Sequence, residues 1–263
     1  MVELSNERSG ELLVESDGAV RIVTLNRPDT LNAFSDELHV AFARMWAAFD
    51  DDEEVRAVVL TGAGRAFSTG GLLEDFEARR VDLAVRRRSM REARRLVQDM
   101  LDVRVPVVAA VNGPAVGLGC TIATLCDVVF MADTAYLADP HVSVALVAGD
   151  GGAVTWPTMT SLLRVKHYLF TGERISADEA VSMGLASFVV PADELMEKAI
   201  GYAHRLASQP PLALQETKAV LNQHLRQSAL NALALGLAAE SQAHDTDEYR
   251  RVAQGGKPAG GDG

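Results

Sequence analysis

The chain of 263 residues carries 36 acidic against 25 basic residues, a formal net charge of −11, with 48 % hydrophobic and 23 % charged residues. This composition excludes wholesale disorder and allows one sizeable core, as one large domain or one domain with a short appendage. The acidity argues against nucleic acid or an anionic membrane as partner.

The first residues carry acids and no apolar core of signal-peptide length, and no apolar run reaches the ~20 residues that span a bilayer. A soluble, cytoplasmic protein is expected. Residues 12–15 and 20–25 read as strands joined by a turn at Asp17-Gly18, and Asn26-Arg27-Pro28-Asp29 breaks the extended run. Ser35 is placed as an N-cap, with Asp36 and Glu37 in the first turn. Leu38, Phe42, Met45, Trp46 and Phe49 then recur at helical spacing. Residues 55–61 read as a buried strand, 62–71 as a glycine-rich loop, 74–101 as one arginine-rich helix and 106–111 as a strand. A second glycine-rich loop at 113–119 leads into an apolar helix at 118–126, followed by a strand at 128–131. Residues 149–163 and 165–170 read as helical. Ser176-Ala177-Asp178-Glu179 is a capping box, and 188–190 a short strand. From 192 to about 249 the pattern is helical, broken at Pro210-Pro211, and 255–263 is a Gly/Pro-rich tail expected to be disordered. The predicted architecture is an α/β core over 1–191 with a helical appendage over 192–254.

Cys120 and Cys126, the two cysteines, fit no zinc or disulfide spacing and are expected as buried, reduced thiols. No metal and no separate cofactor is expected.

Both glycine loops, Ala66-Phe67-Ser68-Thr69-Gly70-Gly71 and Asn112-Gly113-Pro114-Ala115-Val116-Gly117-Leu118-Gly119, follow a buried strand and lead into a helix. Backbone N–H groups at such turns are unpaired and can cradle an anion. Neither loop has the Lys-Ser/Thr of a P-loop or a dinucleotide fingerprint. One N–H from each would suit a single carbonyl oxygen that becomes negative, each donor being worth roughly 100- to 1,000-fold in rate. Tight turns alone would also account for these glycines.

These strings resemble the crotonase (enoyl-CoA hydratase/isomerase) superfamily. Leu25-Asn26-Arg27-Pro28 with Leu31-Asn32-Ala33-Phe34 is similar to its first signature. The segments 57–71 and 106–120 are similar to its two oxyanion loops, and 171–180 with Gly184-Leu185-Ala186 to a later signature. Lys257-Pro258 resembles the usual basic end. The resemblance implies a spiral of ββα units in two roughly perpendicular sheets, with C-terminal helices that build homotrimers or homohexamers. It implies acyl-CoA substrates, with CoA arriving as part of the substrate. It also implies oxyanion donors at the Gly71 and Leu118 amides, and substrate contacts at Arg27, Ala33, Leu72, Leu73 and Thr121.

The resemblance breaks at the two glutamates of the typical hydratase, where this chain has Thr121 and His141. A positioned acid or base contributes roughly 100- to 10,000-fold, so efficient hydration by the usual route is not expected. His141 is instead a candidate proton carrier, with Asp150 nine residues later as its partner; a local loop role for His141 and a helix cap for Asp150 are the alternatives. This His-x₈-Asp arrangement with Trp156-Pro157 resembles oxocamphor hydrolase-type β-diketone hydrolases, whose other active-site histidine is replaced here by Ser35. The basic run from Arg79 to Arg95 reads as a solvated face paired with acids, a contact for CoA phosphates, or an RNA surface. Glu240 is a further candidate carboxylate. His167, His204, His224 and His244 are expected on the surface or in structural roles.

Overall fold

The computed structural model describes residues 10–72 and 74–256. Leu73 and Lys257-Pro258 therefore lie outside the described residues.

The core is a six-stranded sheet in the order β1-β2-β3-β4-β6-β9. β1 (Leu12–Asp17) and β2 (Val20–Leu25) form an antiparallel hairpin. β3 (Ala57–Gly62), β4 (Val107–Val111), β6 (Val128–Ala132) and β9 (Phe188–Val190) continue the sheet in parallel. β3 and β4 are buried throughout, as continuous apolar strands with both faces covered must be. A three-stranded sheet of β5 (Ala115–Val116), β7 (Tyr136–Ala138) and β8 (Ile175–Ser176) stands beside it. The α/β class and the two-sheet plan agree with expectation.

α1 (Asp36–Asp51) starts where Ser35 accepts from the Leu38 N–H, and it buries Leu38, Phe42, Met45, Trp46 and Phe49. The expected single arginine-rich helix is two helices, α2 (Asp75–Val81) and α3 (Leu83–Asp102). Asp82 is extended (φ −112°, ψ 108°) and its carboxylate accepts from the Ala84 and Val85 N–H groups. That cap offers the chain a new start more favourable than helix continuation.

α4 (Leu118–Leu125) follows the second glycine loop. The helical expectation over 149–163 is corrected: α5 is only Gly152–Thr155, a 3₁₀ turn spans Trp156–Thr158, and α6 runs Leu162–Thr171 behind a Ser161 cap. Pro157 fits the first turn of a helix but cannot lie in the interior of one. α7 (Ala177–Met183) opens on the Ser176 cap.

α8 (Leu195–Ala207) packs on β2, β3, β4 and β6, so packing is continuous across residue 191. α9 (Pro211–Ala243) lies against α3 and α5, and α10 (Asp247–Ala253) against α2. Tyr249 of α10 is fully buried, stacks on Phe76 at 5.4 Å and donates its hydroxyl to the Phe76 carbonyl. Among the described residues, no helix is long and apolar enough to cross a membrane, and no group of three His, Cys, Asp or Glu could hold a metal. Cys120 and Cys126 are buried and unbonded.

Candidate active site

The two glycine loops meet because they are hydrogen-bonded to each other. Ser68 pairs with Ala115 as a parallel bridge, with Ser68 N–H donating to the Pro114 carbonyl and Val116 N–H to the Ser68 carbonyl. Two amide side chains, a half-buried Asn112 and a fully buried Asn32, brace them. Asn112 donates to the Gly64 and Ala66 carbonyls and accepts from the Gly62 N–H. Asn32, in the left-handed region at φ 58°, donates to the Ala63 and Ala66 carbonyls and accepts from the Arg27 N–H. Asparagine tolerates that conformation better than most residues, which gives the first sequence signature its physical meaning.

Gly70 (φ 82°) and Gly117 (φ 54°) stand where the loops touch. A Cβ on Gly70 would lie 2.8 Å from the Val116 carbonyl oxygen and 3.0 Å from the Leu118 nitrogen. Leu118 is the first residue of α4, so its N–H has no partner within the helix. Neither the Gly71 nor the Leu118 N–H donates to a protein acceptor among the described residues. Both line a cavity of about 600 Å³.

His141 borders the same cavity, its Cε1 3.8 Å from where a Gly117 Cβ would be. It begins the 3₁₀ turn after β7. Its Nδ1 is hydrogen-bonded to Asp139 Oδ1, and its Nε2 lies 3.7 Å from Asp150 Oδ1. The orienting acid is therefore Asp139, which is 1 % exposed, and not Asp150. Asp150 does not cap α5 either: Gly151 holds that position without a side-chain bond, and the buried Asp150 Oδ1 has no hydrogen-bond partner. Glu240 reaches the cavity from α9, with its Oε2 also buried and unpartnered.

The electrostatics follow from this packing. Burial disfavours the charged His141 ring, but Asp139 and then Asp150 outweigh it and hold its pKa well above the ordinary imidazole value. Burial raises Asp139, but the His141 charge and hydrogen bond outweigh it and leave that carboxyl low. Burial raises Asp150 against the pull of His141. Burial, with the Asp150 charge beside it, pushes Glu240 up to about 8. One ion pair thus faces two carboxyl groups whose hold on a proton burial strengthens.

Of the expected contacts, Ala33 and Leu72 line the cavity and Leu73 falls outside the described residues. Arg27 and Thr121 do not line it. Arg27 donates to the Ala33 carbonyl and pairs with Glu11 at 3.0 Å, so it braces the loop from behind. Thr121 is 1 % exposed. A Cβ on Gly151 would fall 1.6 Å from its hydroxyl oxygen, so the Gly151 backbone shuts it away from the cavity. The arginine run is largely paired: Arg79 with Asp75, Arg80 with Glu77, Arg86 with Asp245, Arg88 with Asp36 and Arg95 with Asp99.

Sequence reasoning gave no site role to Asp139 or His39 and named Arg79 only within its basic run. Asp139 sits two residues before His141, a spacing that could have been noticed. Arg79 was one arginine in a run of many. His39 was unmarked, although it follows Leu38 at the edge of the apolar stripe of α1. It lines the cavity against Phe34 (ring centroids 5.0 Å), and burial, with Arg79 beside it, lowers its pKa to about 4. His244 is buried rather than exposed, donating from Nδ1 to the Glu240 carbonyl and packing on Tyr249.

The family model described as enoyl-CoA hydratase/isomerase matches residues 15–256. The chain is 30 % identical over 250 residues to a short-chain-enoyl-CoA hydratase of Clostridium acetobutylicum, covering 95 % of this chain and 93 % of that one. It is 34 % identical over 232 residues to a 2,3-dehydroadipyl-CoA hydratase of Escherichia coli, covering 88 % of each. A crystal structure of an enoyl-CoA hydratase/isomerase from Mycobacterium paratuberculosis superposes with a TM-score of 0.91 at 48 % identity, over 95 % of this chain and 100 % of that one.

Proposed function

The chain belongs to the enoyl-CoA hydratase/isomerase (crotonase) family, and from that premise we propose an enzyme that forms an enolate of an acyl-CoA thioester. The Gly71 and Leu118 N–H groups hold the thioester oxygen. His141 Nε2 takes the α-proton and the electron pair moves onto that oxygen; where the acyl group carries a β,γ double bond, the dienolate takes the proton back from the imidazolium at the γ-carbon and the double bond moves to the α,β position. Asp139 is a positioning residue: it holds Nδ1 so that Nε2 faces the substrate. Carrying this reading is the shared cavity of two unpaired loop amides and an imidazole anchored by a buried carboxylate. The test is single-turnover exchange of α-protons in deuterated water with saturated acyl-CoA thioesters; no exchange at any pH overturns it.

A second reading, hydrolysis of a β-diketone without CoA, is supported by Asp150 facing His141 Nε2 at 3.7 Å with an unpartnered oxygen. His141 would deprotonate a water held there. The hydroxide adds to one carbonyl, the carbon–carbon bond breaks, and its electron pair leaves as an enolate in the same hole. Thermal shift with CoA separates the two readings. The exposed Leu212, Val220, Leu221, Leu230 and Leu235 of α9 support the proposal that 192–254 also carries a homotrimer or homohexamer contact.

The pH dependence has a defined sign. His141 must be neutral to act as base, so kcat/KM should rise with pH through a midpoint above the ordinary imidazole value. Asp139→Asn should move that limb to lower pH and cut kcat about 100-fold or more. A merely structural role for Asp139 would leave the midpoint in place.

Glu240 makes a prediction about stability. Its carboxyl ionises near 4.5 in the unfolded chain and near 8 when folded. The folded state holds a proton that the unfolded state releases, so this group's contribution falls as pH rises through that window. Glu240→Gln is expected to raise stability at pH 7 by on the order of 3 kcal/mol and to do little at pH 4.5, as read by urea unfolding at both pH values.

A further inference from the structure

The oxyanion loops have a second polar neighbour besides His141, next to Gly71 rather than Gly117. Arg79 of α2 lines the cavity, and its guanidinium Nη1 lies 3.3 Å from where a Gly71 Cβ would be. His141 sits by Gly117 and Arg79 by Gly71, so the two groups flank the paired amides from opposite loops. The Arg79 side chain is only 15 % exposed. Among the described residues it makes no hydrogen bond, and its single ion pair, to Asp75 Oδ2, is long at 3.5 Å. Asp75 is itself 36 % exposed and engages one nitrogen of a fork with five donors.

A guanidinium withdrawn from water with its donors unmatched is costly unless something fills it, and its planar fork suits a carboxylate held by two parallel bonds. Glu74, Asp150 and Glu240 also line the cavity, burial strengthening the last two's hold on a proton, and the remaining surroundings fit such a guest. His39, which burial and the adjacent Arg79 keep neutral, lines the same cavity, so Arg79 is the cation that a guest there would meet. Phe76, Met90, Ala93 and Leu146 line the cavity too and would cover an alkyl chain. The thioester oxygen already has the two loop amides, so it does not need this arginine. The enclosure also suits a small group better than the bulky phosphates of CoA.

Resting on the acyl-CoA reading above, we propose that the acyl group carries a second, remote carboxylate, which Arg79 binds as a bidentate partner in place of the long contact to Asp75. Arg79 is thus the residue that selects dicarboxylic acyl thioesters over plain ones.

Calorimetric binding of matched saturated thioesters, which undergo no net conversion, tests this: glutaryl-CoA against pentanoyl-CoA, and adipyl-CoA against hexanoyl-CoA. The wild-type chain should bind the carboxylated member of at least one pair about 10- to 100-fold more tightly. Arg79→Gln should bring that ratio close to one, and Arg79→Lys should keep part of it, since a lysine supplies the charge without the fork. Equal binding within both pairs, or a preference that survives Arg79→Gln, overturns the proposal and leaves the acyl-CoA reading standing. If no thioester binds, the acyl-CoA reading fails and the site is judged with free glutarate and adipate. Binding to wild type that is lost in Arg79→Gln then upholds the carboxylate site, and no binding overturns it.

Discussion

Replacing His141 with alanine is expected to lower kcat about 100- to 10,000-fold while acyl-CoA binding changes little. The ring is the one group at the oxyanion loops whose free nitrogen is aimed into the cavity by a buried carboxylate. Its removal takes away the proton carrier but leaves the Gly71 and Leu118 amides in place, so binding and chemistry should separate. Residual activity should lose the acid limb of the pH profile, because that limb belongs to the imidazole. Glu240 cannot substitute efficiently, because burial raises it to about 8 and near neutral pH it resists giving up its proton; burial raises Asp150 as well. Turnover no higher than background in both wild type and His141→Ala would instead indicate a family member that binds without catalysing.

Gly70→Ala should be comparably damaging for a different reason. The new methyl group would press on the Val116 carbonyl at 2.8 Å and the Leu118 nitrogen at 3.0 Å, at a φ of 82° that side chains avoid. The backbone strain alone costs roughly 1–2 kcal/mol. The contact forces apart the loops whose amides must converge on one oxygen. Loss of one such donor is worth about 100- to 1,000-fold in kcat. Gly201→Ala is the control. Gly201 is in α8, exposed, with nothing within 4 Å of an added Cβ. That change should raise stability by roughly 0.5–1 kcal/mol and leave kcat alone. If Gly70→Ala matches wild type in kcat, the oxyanion site is not where the loops join.

The two predictions rest on features of different legibility. The glycine loops, the Ser35 and Ser176 caps and the apolar stripe of α1 were readable because each is encoded over a few residues. A positive φ calls for Gly or Asn, a first helical turn calls for a hydroxyl or carboxylate, and a buried face shows its period. The same local logic misjudged 74–101 and 149–163, where Asp82 and Pro157 restart or limit a helix inside a segment whose periodicity continues. The family resemblance implied substrate contact at Arg27 and Thr121, whose side chains the fold turns into loop bracing and packing.

From the amino-acid string alone came the α/β class, the two anion-ready loops and a histidine where the family usually has glutamate, because main-chain conformation is written locally. The three-dimensional packing decided which charges share the cavity: Asp139 behind the imidazole, Arg79 and His39 from α2 and α1, and Glu240 from α9. Those groups are 40 or more residues apart, except for Asp139 beside its histidine. Their proton affinities come from burial and mutual charge, which exist only once the helices have docked.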